Sequence, residues 1–437
     1  MKRITRALIS AGIIVLLFIS WFIAINSQSN VEKQIELMAQ ASVLVNDGIY
    51  IRAVPLLEEA AMYNTELTLV VESELKKVYI ELFATRGFRQ KYVNLLEAQM
   101  NRRNAQSDIF KEAANYYLGI SRLGQALNIL VTGIERTGCE RLLAIYEESR
   151  YAFETGRSIY DYAAAIHSGA SQVSLNGLWG TARADGILII PCEYDKVSTY
   201  SRDRVIVKSG MDIFAVNMAN NRIALLHDYA LDFGNYSDDR VPLKFADGWR
   251  RSNGEFAIGN MSFDDMGMYS NGYVAAKQNG SWGIIDLSSN WLLQPEFCEI
   301  IQDELGRSFA QNSVFVRLDG WVYLFSDGRW IDNYFEDARP FSDDGYAAVK
   351  KNGKWGFIDT NGNEKIGFIF DDALSFGQHL AAVKVEDMWG YISLFGQIVI
   401  EPIFQEAKSF SNGSAPVLTE RGWQFITLIE YKKGVSL

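Results

Sequence analysis

Three cysteines, three histidines and seven prolines are spread over 437 residues, and each shortage excludes something. Cys139, Cys192 and Cys298 form no Cys-x-x-Cys pair. Their odd number leaves at least one outside any bridge within the chain, so no disulfide framework is implied. His167, His227 and His379 are far apart in sequence. There is no His-Glu-x-x-His, no Gly-x-Ser-x-Gly, and no glycine-rich phosphate loop followed by Lys-Ser/Thr. The chain therefore reads as a non-enzyme, with no catalytic residue, no metal and no cofactor implied. Scarce proline, with 48% hydrophobic and 22% charged residues, excludes a disordered chain. Positive charge is short as well. The formal net charge is -11, and residues 169–437 hold 24 basic against 35 acidic residues. Phosphate binding needs a basic stripe, so nucleic acid is excluded as a partner. Broad electrostatic docking on anionic lipid is excluded on the same ground.

The one long apolar run is ALISAGIIVLLFISWFIAI, residues 7–25, preceded by Lys2, Arg3 and Arg6. Nineteen uncharged residues at ~1.5 Å each just cross a ~30 Å hydrocarbon core. No Ala-x-Ala site closes the run, so it reads as an uncleaved anchor rather than a cleaved signal. The charge bias places the N-terminus in the cytoplasm and the C-terminal domains outside, as a single-pass membrane protein. Residues 1–27 form this first segment.

Residues 28–168 lack strand alternation, and apolar residues recur there at helical spacing, as in Ile35, Met38, Ala39 and Val43. Three stretches echo one another: NDGIYIRAVPLLEEAAMYN, ATRGFRQKYVNLLEAQMNR and SRLGQALNILVTGIERTG. Their glycines Gly48, Gly87 and Gly124 are 39 and 37 residues apart. The pattern resembles tetratricopeptide-type helical hairpins. That resemblance implies a face that binds peptide or protein, on which Tyr50, Tyr92 and Tyr117 are candidate contacts.

Residues 169–437 carry a different period. Tyr346–Lys351 reads as a strand, Asn352-Gly353 as a type I′ turn, Lys354–Asp359 as the return strand and Glu364–Phe370 as a third. Copies align on Trp179, Asp212, Trp249, Trp282, Trp321, Trp355, Trp389 and Trp423, with gaps of 33, 37, 33, 39, 34, 34 and 34. Cores such as QNGSWGIIDLSSN, KNGKWGFIDTNG and VEDMWGYISLFG share several columns. They resemble the WG-containing (KWG) repeat family over roughly the last 60% of the chain. Neighbouring residues of a strand face opposite sides. In Trp355-Gly-Phe-Ile both faces are apolar, so both must be covered by neighbouring sheets. Glycine after the tryptophan is read as making room for an adjoining sheet. A buried tryptophan removes ~150–250 Å² from water, worth roughly 4–6 kcal/mol before ordering costs. The column is thus a packing spine.

The fold expected is multidomain: a transmembrane helix, all-α hairpin repeats, and an all-β propeller-like toroid of about eight short antiparallel meanders, with an open β-solenoid as the alternative. The final unit lacks a clear third strand, which the first strands of a closed ring could supply. Recurrent pairs such as Asp264-Asp265 and Asp371-Asp372 fit turn capping, with a calcium-binding ring of carboxylates as the sharper reading. Function is sought where the repeat breaks: at Trp249-Arg250-Arg251, and in the insertion Gln302–Asn312 with Arg307 and Phe309. The family resemblance implies interaction rather than catalysis. The expectation is an extracytoplasmic interaction or scaffold protein whose partner is another protein at a bacterial-type cell envelope. A carbohydrate- or cell-wall-binding protein, with a glycan as ligand, is the alternative, and a hydrolase on the same ring the weaker one.

Overall fold

The computed structural model describes residues 29–225, 229–253, 258–259 and 261–429. Helices come first and strands follow. Helix α1 covers 29–46. It is followed by α2 (Tyr50–Met62), α3 (Thr68–Glu81), α4 (Phe88–Met100), α5 (Ser107–Gly119), α6 (Leu123–Thr137) and α7 (Glu140–Ser149). Each is amphipathic. Leu37, Ala53, Leu57, Val71, Leu75, Val78 and Leu96 form one buried apolar cluster. Polar groups enter this core only in partnership. Gln34 is fully buried and donates to the carbonyls of Ala60 (2.8 Å) and Tyr63 (3.1 Å). Buried Glu72 accepts from Gln99 (2.8 Å) and pairs with Arg102. Gly48 and Gly87 take positive φ in turns, whereas Gly124 lies in the first turn of α6. The third hairpin turns instead at Ser121, with φ of 57°. Helical repeats are therefore present, with two of the three expected turn glycines in turns.

The expected membrane-spanning helix needs correcting. Residues 7–25 lie outside the described residues. Among the described residues no helix is long and apolar enough to cross a membrane. The physical reason is the charged face each helix keeps: α1 carries Glu32, Lys33 and Glu36 within two turns. The placement as a single-pass membrane protein, with a cytoplasmic N-terminus and extracytoplasmic domains, is corrected accordingly: no described helix supports it.

From Phe153 onward the chain builds an eight-bladed β-propeller from eight antiparallel sheets, numbered in chain order. The strands of blades 1 to 4 lie within 162–194, 196–225, 232–252 and 265–297, and those of blade 5 within 313–335, with Ile300 bridged to Val316 in its innermost place. In blade 6 the strands are Asp337–Ala338, Tyr346–Lys351, Lys354–Asp359 and Glu364–Phe370, paired in that order. Blade 7 repeats this with Asp372–Ala373, Leu380–Val385, Met388–Ser393 and Ile398–Phe404. The innermost strand is only two residues long, too short for any alternation to show in the sequence. Asn352 (φ 53°) and Gly353 (φ 77°) form the expected primed hairpin turn.

Two observations close the ring. Blade 8 is Glu406–Ala407, Ser414–Thr419 and Gly422–Leu428, and its outer strand is Phe153–Thr155 from the other end of the domain. Every pair of neighbouring blades also shares its own apolar cluster, including blades 8 and 1 through Trp423, Phe425, Tyr160, Ala163 and Val173. Eight blades with eight such interfaces make a ring, because an open stack would have seven. The open solenoid is thereby set aside.

Candidate functional site

The tryptophan column lies in the interfaces between blades. Trp355 and Trp423 are 3% exposed, and Trp321 and Trp389 are also buried. Trp179, Trp249 and Trp282 are half-buried against the same kind of cluster. Basic side chains cover several of the rings: Lys277 lies 5.7 Å from the Trp282 centroid, Arg317 5.6 Å from Trp321 and Arg339 4.3 Å from Trp355. In blade 2 the column position belongs to Ile213 rather than Asp212. Ile213 pairs with Lys208 as Trp282 pairs with Lys277.

The glycine after the tryptophan has a different cause from the one expected. A Cβ on Gly180, Gly283, Gly356 or Gly390 would meet the carbonyl oxygen of the outer strand of its own blade, at 2.4, 2.5, 2.8 and 2.5 Å. The register shifts just there, as a bulge between Trp389 and Tyr391. Glycine thus lets the bulged strand lie close within a blade.

The paired aspartates are engaged in turns. Asp264 Oδ2 accepts from the backbone N–H of Gly280 (2.8 Å) and Asp371 Oδ2 from that of Glu386 (3.1 Å). Their neighbours Asp265 and Asp372 accept from the N–H groups of Met266 and Ala373, both at 2.8 Å. Among the described residues no group of three or more side chains is arranged to hold a metal ion.

The residues chosen where the repeat breaks are mostly inside. Arg250 pairs with Asp247 (2.5 Å) and lies over Phe245. Arg251 is buried and donates to the Leu287 carbonyl. Trp249 packs with Phe263 and Met266. Tyr92 is buried and donates to Glu112 (3.0 Å), Tyr117 is buried beside Tyr116, and Tyr50 packs at the edge of the helical core. Phe309 is 3% exposed, with its ring centroid 4.6 Å from that of Tyr273. It is blade 5's counterpart of Phe341, Phe376 and Phe410.

Arg307 is placed differently. Other blades put two residues between the innermost strand and that aromatic, as in Arg339-Pro340 or Lys408-Ser409. In blade 5 the innermost position is Ile300, bridged to Val316, and eight residues, Ile301–Ser308, precede Phe309. The extra residues reach across the propeller axis. Asn235 of blade 3 donates to the Leu305 carbonyl (2.9 Å), and the Met268 N–H of blade 4 to the Gly306 carbonyl (2.7 Å). Leu305 packs on Ala165 and Met268. Beside this loop lies a cavity of about 560 Å³, lined by Glu304, Arg307, Arg339, Ser375, Gln378 and Ser409 among others.

The charges around the cavity are unevenly matched. Arg307 donates through Nε to Asp303 (2.5 Å). Arg339 lies 3.3 Å from Asp337 and 3.6 Å from Asp372. Lys408 donates to Glu406 (2.7 Å) and lies 5.2 Å from the Trp423 centroid. Glu304 has Lys408 as its charged partner, at 3.8 Å. Burial pushes the Glu304 carboxyl up to about 7. Burial works to lower the Lys408 ammonium, but Glu304 and Glu406 outweigh it and the net displacement is upward. His167 is driven down to about 4, by burial first and by Arg307 second, and is neutral at pH 7.

Blade 5 differs on its outer side too. Its outer strand, Trp330–Phe335, carries Trp330 at 61% exposure and Tyr334 at 51%. Sequence reasoning missed Glu304, Trp330 and Tyr334. The signals available were the six surplus residues before Phe309 and a tryptophan standing off the column.

Five segments of this chain match the WG containing repeat. They are residues 184–210, 260–282, 331–355, 355–389 and 389–423. The last two run from one column tryptophan to the next, so the WG repeat is one blade in a shifted frame. The stretches between matches hold Ile213-Phe214, Trp249-Arg250, the loop at 301–308 and Trp321-Val322, where this chain departs from Trp-Gly or from the repeat length. No curated protein matches the sequence. Among solved structures, PorZ, a bacterial surface component of the type-IX secretion system of Porphyromonas gingivalis, is similar at 11% identity and a TM-score of 0.35. That match covers 61% of this chain and 42% of PorZ, so the chain spans less than half of PorZ's length. The Pan2 WD40 domain of Neurospora crassa is similar at 8% identity and a TM-score of 0.34, covering 61% of this chain and 88% of that one. At such scores neither likeness bears on function.

Proposed function

We propose that this chain is a non-catalytic protein-interaction or scaffold protein, and that blade 5 carries its recognition surface. The observation supporting this is the division among aromatic residues. The column tryptophans and the aromatics after the innermost strands are taken up by packing between blades. Trp330 and Tyr334 are not. They stand four residues apart on an outer strand that has one unpaired edge among the described residues, on either side of a shift in its pairing register. Tryptophan and tyrosine supply much of the binding energy in protein interfaces, and an open strand edge adds backbone donors and acceptors.

The test uses the full chain as bait in photo-cross-linking, beside a double variant carrying Trp330→Ser and Tyr334→Ser. A protein captured by the parent chain is expected to be lost from the variant, or reduced at least about tenfold, with the melting temperature unchanged. Equal capture by both chains would rule out blade 5 as the recognition surface. Failure of the parent to capture any protein would contradict the interaction role.

A further inference from the structure

The axial cavity is a second feature, independent of the outer strand of blade 5. Its volume of about 560 Å³ lies within the range of small-ligand sites. It exists where the repeat is broken, and the loop that breaks it is pinned by named hydrogen bonds to blades 3 and 4. The loop is held in turn by Asp303, whose Oδ1 accepts from the N–H groups of Leu305 and Arg307, both at 2.9 Å.

This fixed loop brings two carboxylates to the cavity, Asp303 and Glu304; Asp303 is matched within the loop, and the groups facing Glu304 leave it incompletely matched. Arg307 on the same loop is engaged by Asp303. Lys408 of blade 8 is engaged by Glu406. Tyr391 of blade 7 is buried and donates to the Lys408 carbonyl (2.9 Å). Glu304 is left with an ammonium at 3.8 Å, beyond hydrogen-bonding reach, while its side chain stays 21% exposed to the cavity. A carboxylate held away from bulk water without donors costs free energy that a bound donor recovers. The rest of the lining suits the carbon stem and polar ends of such a ligand: Phe309 and Phe376, then Ser375, Ser409 and Gln378.

We infer that the axial cavity binds a primary ammonium group, seated on the Glu304 carboxylate. An ammonium supplies three donors and one positive charge in a compact head, which fits a single carboxylate in a confined space better than a planar guanidinium does. The group arrives on a lysine side chain of a peptide segment or on a free alkylamine, and both present the same head to Glu304. The site also accounts for the sign of the mismatch around the cavity, where each lining arginine already has an acid within 3.3 Å and Glu304 has no base so close.

Binding is measured by calorimetry on the full chain with three probes: Nα-acetyl-lysine amide, its norleucine counterpart lacking the ammonium, and n-butylamine. The lysine amide is expected to bind and the norleucine compound not to. Glu304→Gln is expected to weaken the lysine amide about ten- to a hundredfold, and Glu304→Asp, which keeps the charge, to retain binding. Tighter binding of the lysine amide than of butylamine assigns the site to a peptide segment, and the reverse order assigns it to a free amine. Absence of binding by both amines, or equal affinity in the parent and Glu304→Gln, overturns the inference. The Trp330→Ser, Tyr334→Ser variant is expected to bind the amine as the parent does, so this site and the outer strand stand or fall separately.

Discussion

Glu304 carries a stability consequence of its own. Burial raises its carboxyl from 4.5 to about 7 in the folded chain. Between those values the folded protein holds a proton that the unfolded chain has released. Stability therefore falls as pH rises through that window and stays lower above it. Glutamine never ionises, so Glu304→Gln is expected to melt higher than the parent at pH 8, by on the order of 2–3 kcal/mol before solvent screening. The advantage should vanish near pH 5. Thermal unfolding at both pH values checks it, and an equal pH response in the two chains would mean that Glu304 is adequately solvated. Little of this was legible in the sequence. The insertion stood out by length, and Arg307 was picked from it, but nothing in QDELGRSFAQN says that Glu304 faces a cavity at the propeller axis. Phe309 looked like a contact because six extra residues hid its equivalence to Phe341. Trp355 was readable as glue because its neighbours on both faces are apolar and the pattern recurs at a fixed interval.

Within a blade, the legible parts were those with a local chemical signature. Asn-Gly at a hairpin, the short apolar runs of the two middle strands and the recurring Trp-Gly are local signatures that can be read without a fold. The innermost strand could not be, since two residues have no period. Blade 2 shows the limit of column matching: Asp212 was aligned with the tryptophans, whereas pairing to Lys208 puts Ile213 there. The reason for the glycine also needed the structure, because the bulge involves a strand about ten residues away. It gives an element-scale prediction. A Cβ at position 390 would lie 2.5 Å from the Ile400 carbonyl oxygen, a backbone atom that cannot swing aside. Gly390→Ala is expected to destabilise the protein by about 1–3 kcal/mol, measured by denaturant unfolding. An unchanged midpoint would show that the outer strand can shift without cost.

At the scale of the whole propeller, the ring is held by repeated apolar interfaces and by one closure. The number of units and their meander order were visible in the sequence. The strand that completes blade 8 was foreseen only as a need, because Phe153-Glu-Thr has neither a turn signal nor a tryptophan to mark it. Closure also bears on function: the axial cavity has walls from several blades, including 5, 6, 7 and 8, so it exists only if the ring is complete. The seam is defined by three residue pairs, Phe153 with Leu428, Glu154 with Thr427 and Thr155 with Ile426. Beside them the Gly156 N–H donates to the Phe425 carbonyl at 2.7 Å, and the Ile429 N–H to the Ala152 carbonyl at 3.0 Å. Native-state hydrogen exchange across residues 152–157 tests this most directly. Closure predicts that these amides are protected and that they lose protection together with residues 422–428 as denaturant is added. Exchange of 152–157 at the rate of an unfolded peptide, while blades 6 and 7 stay protected, would contradict the closed ring.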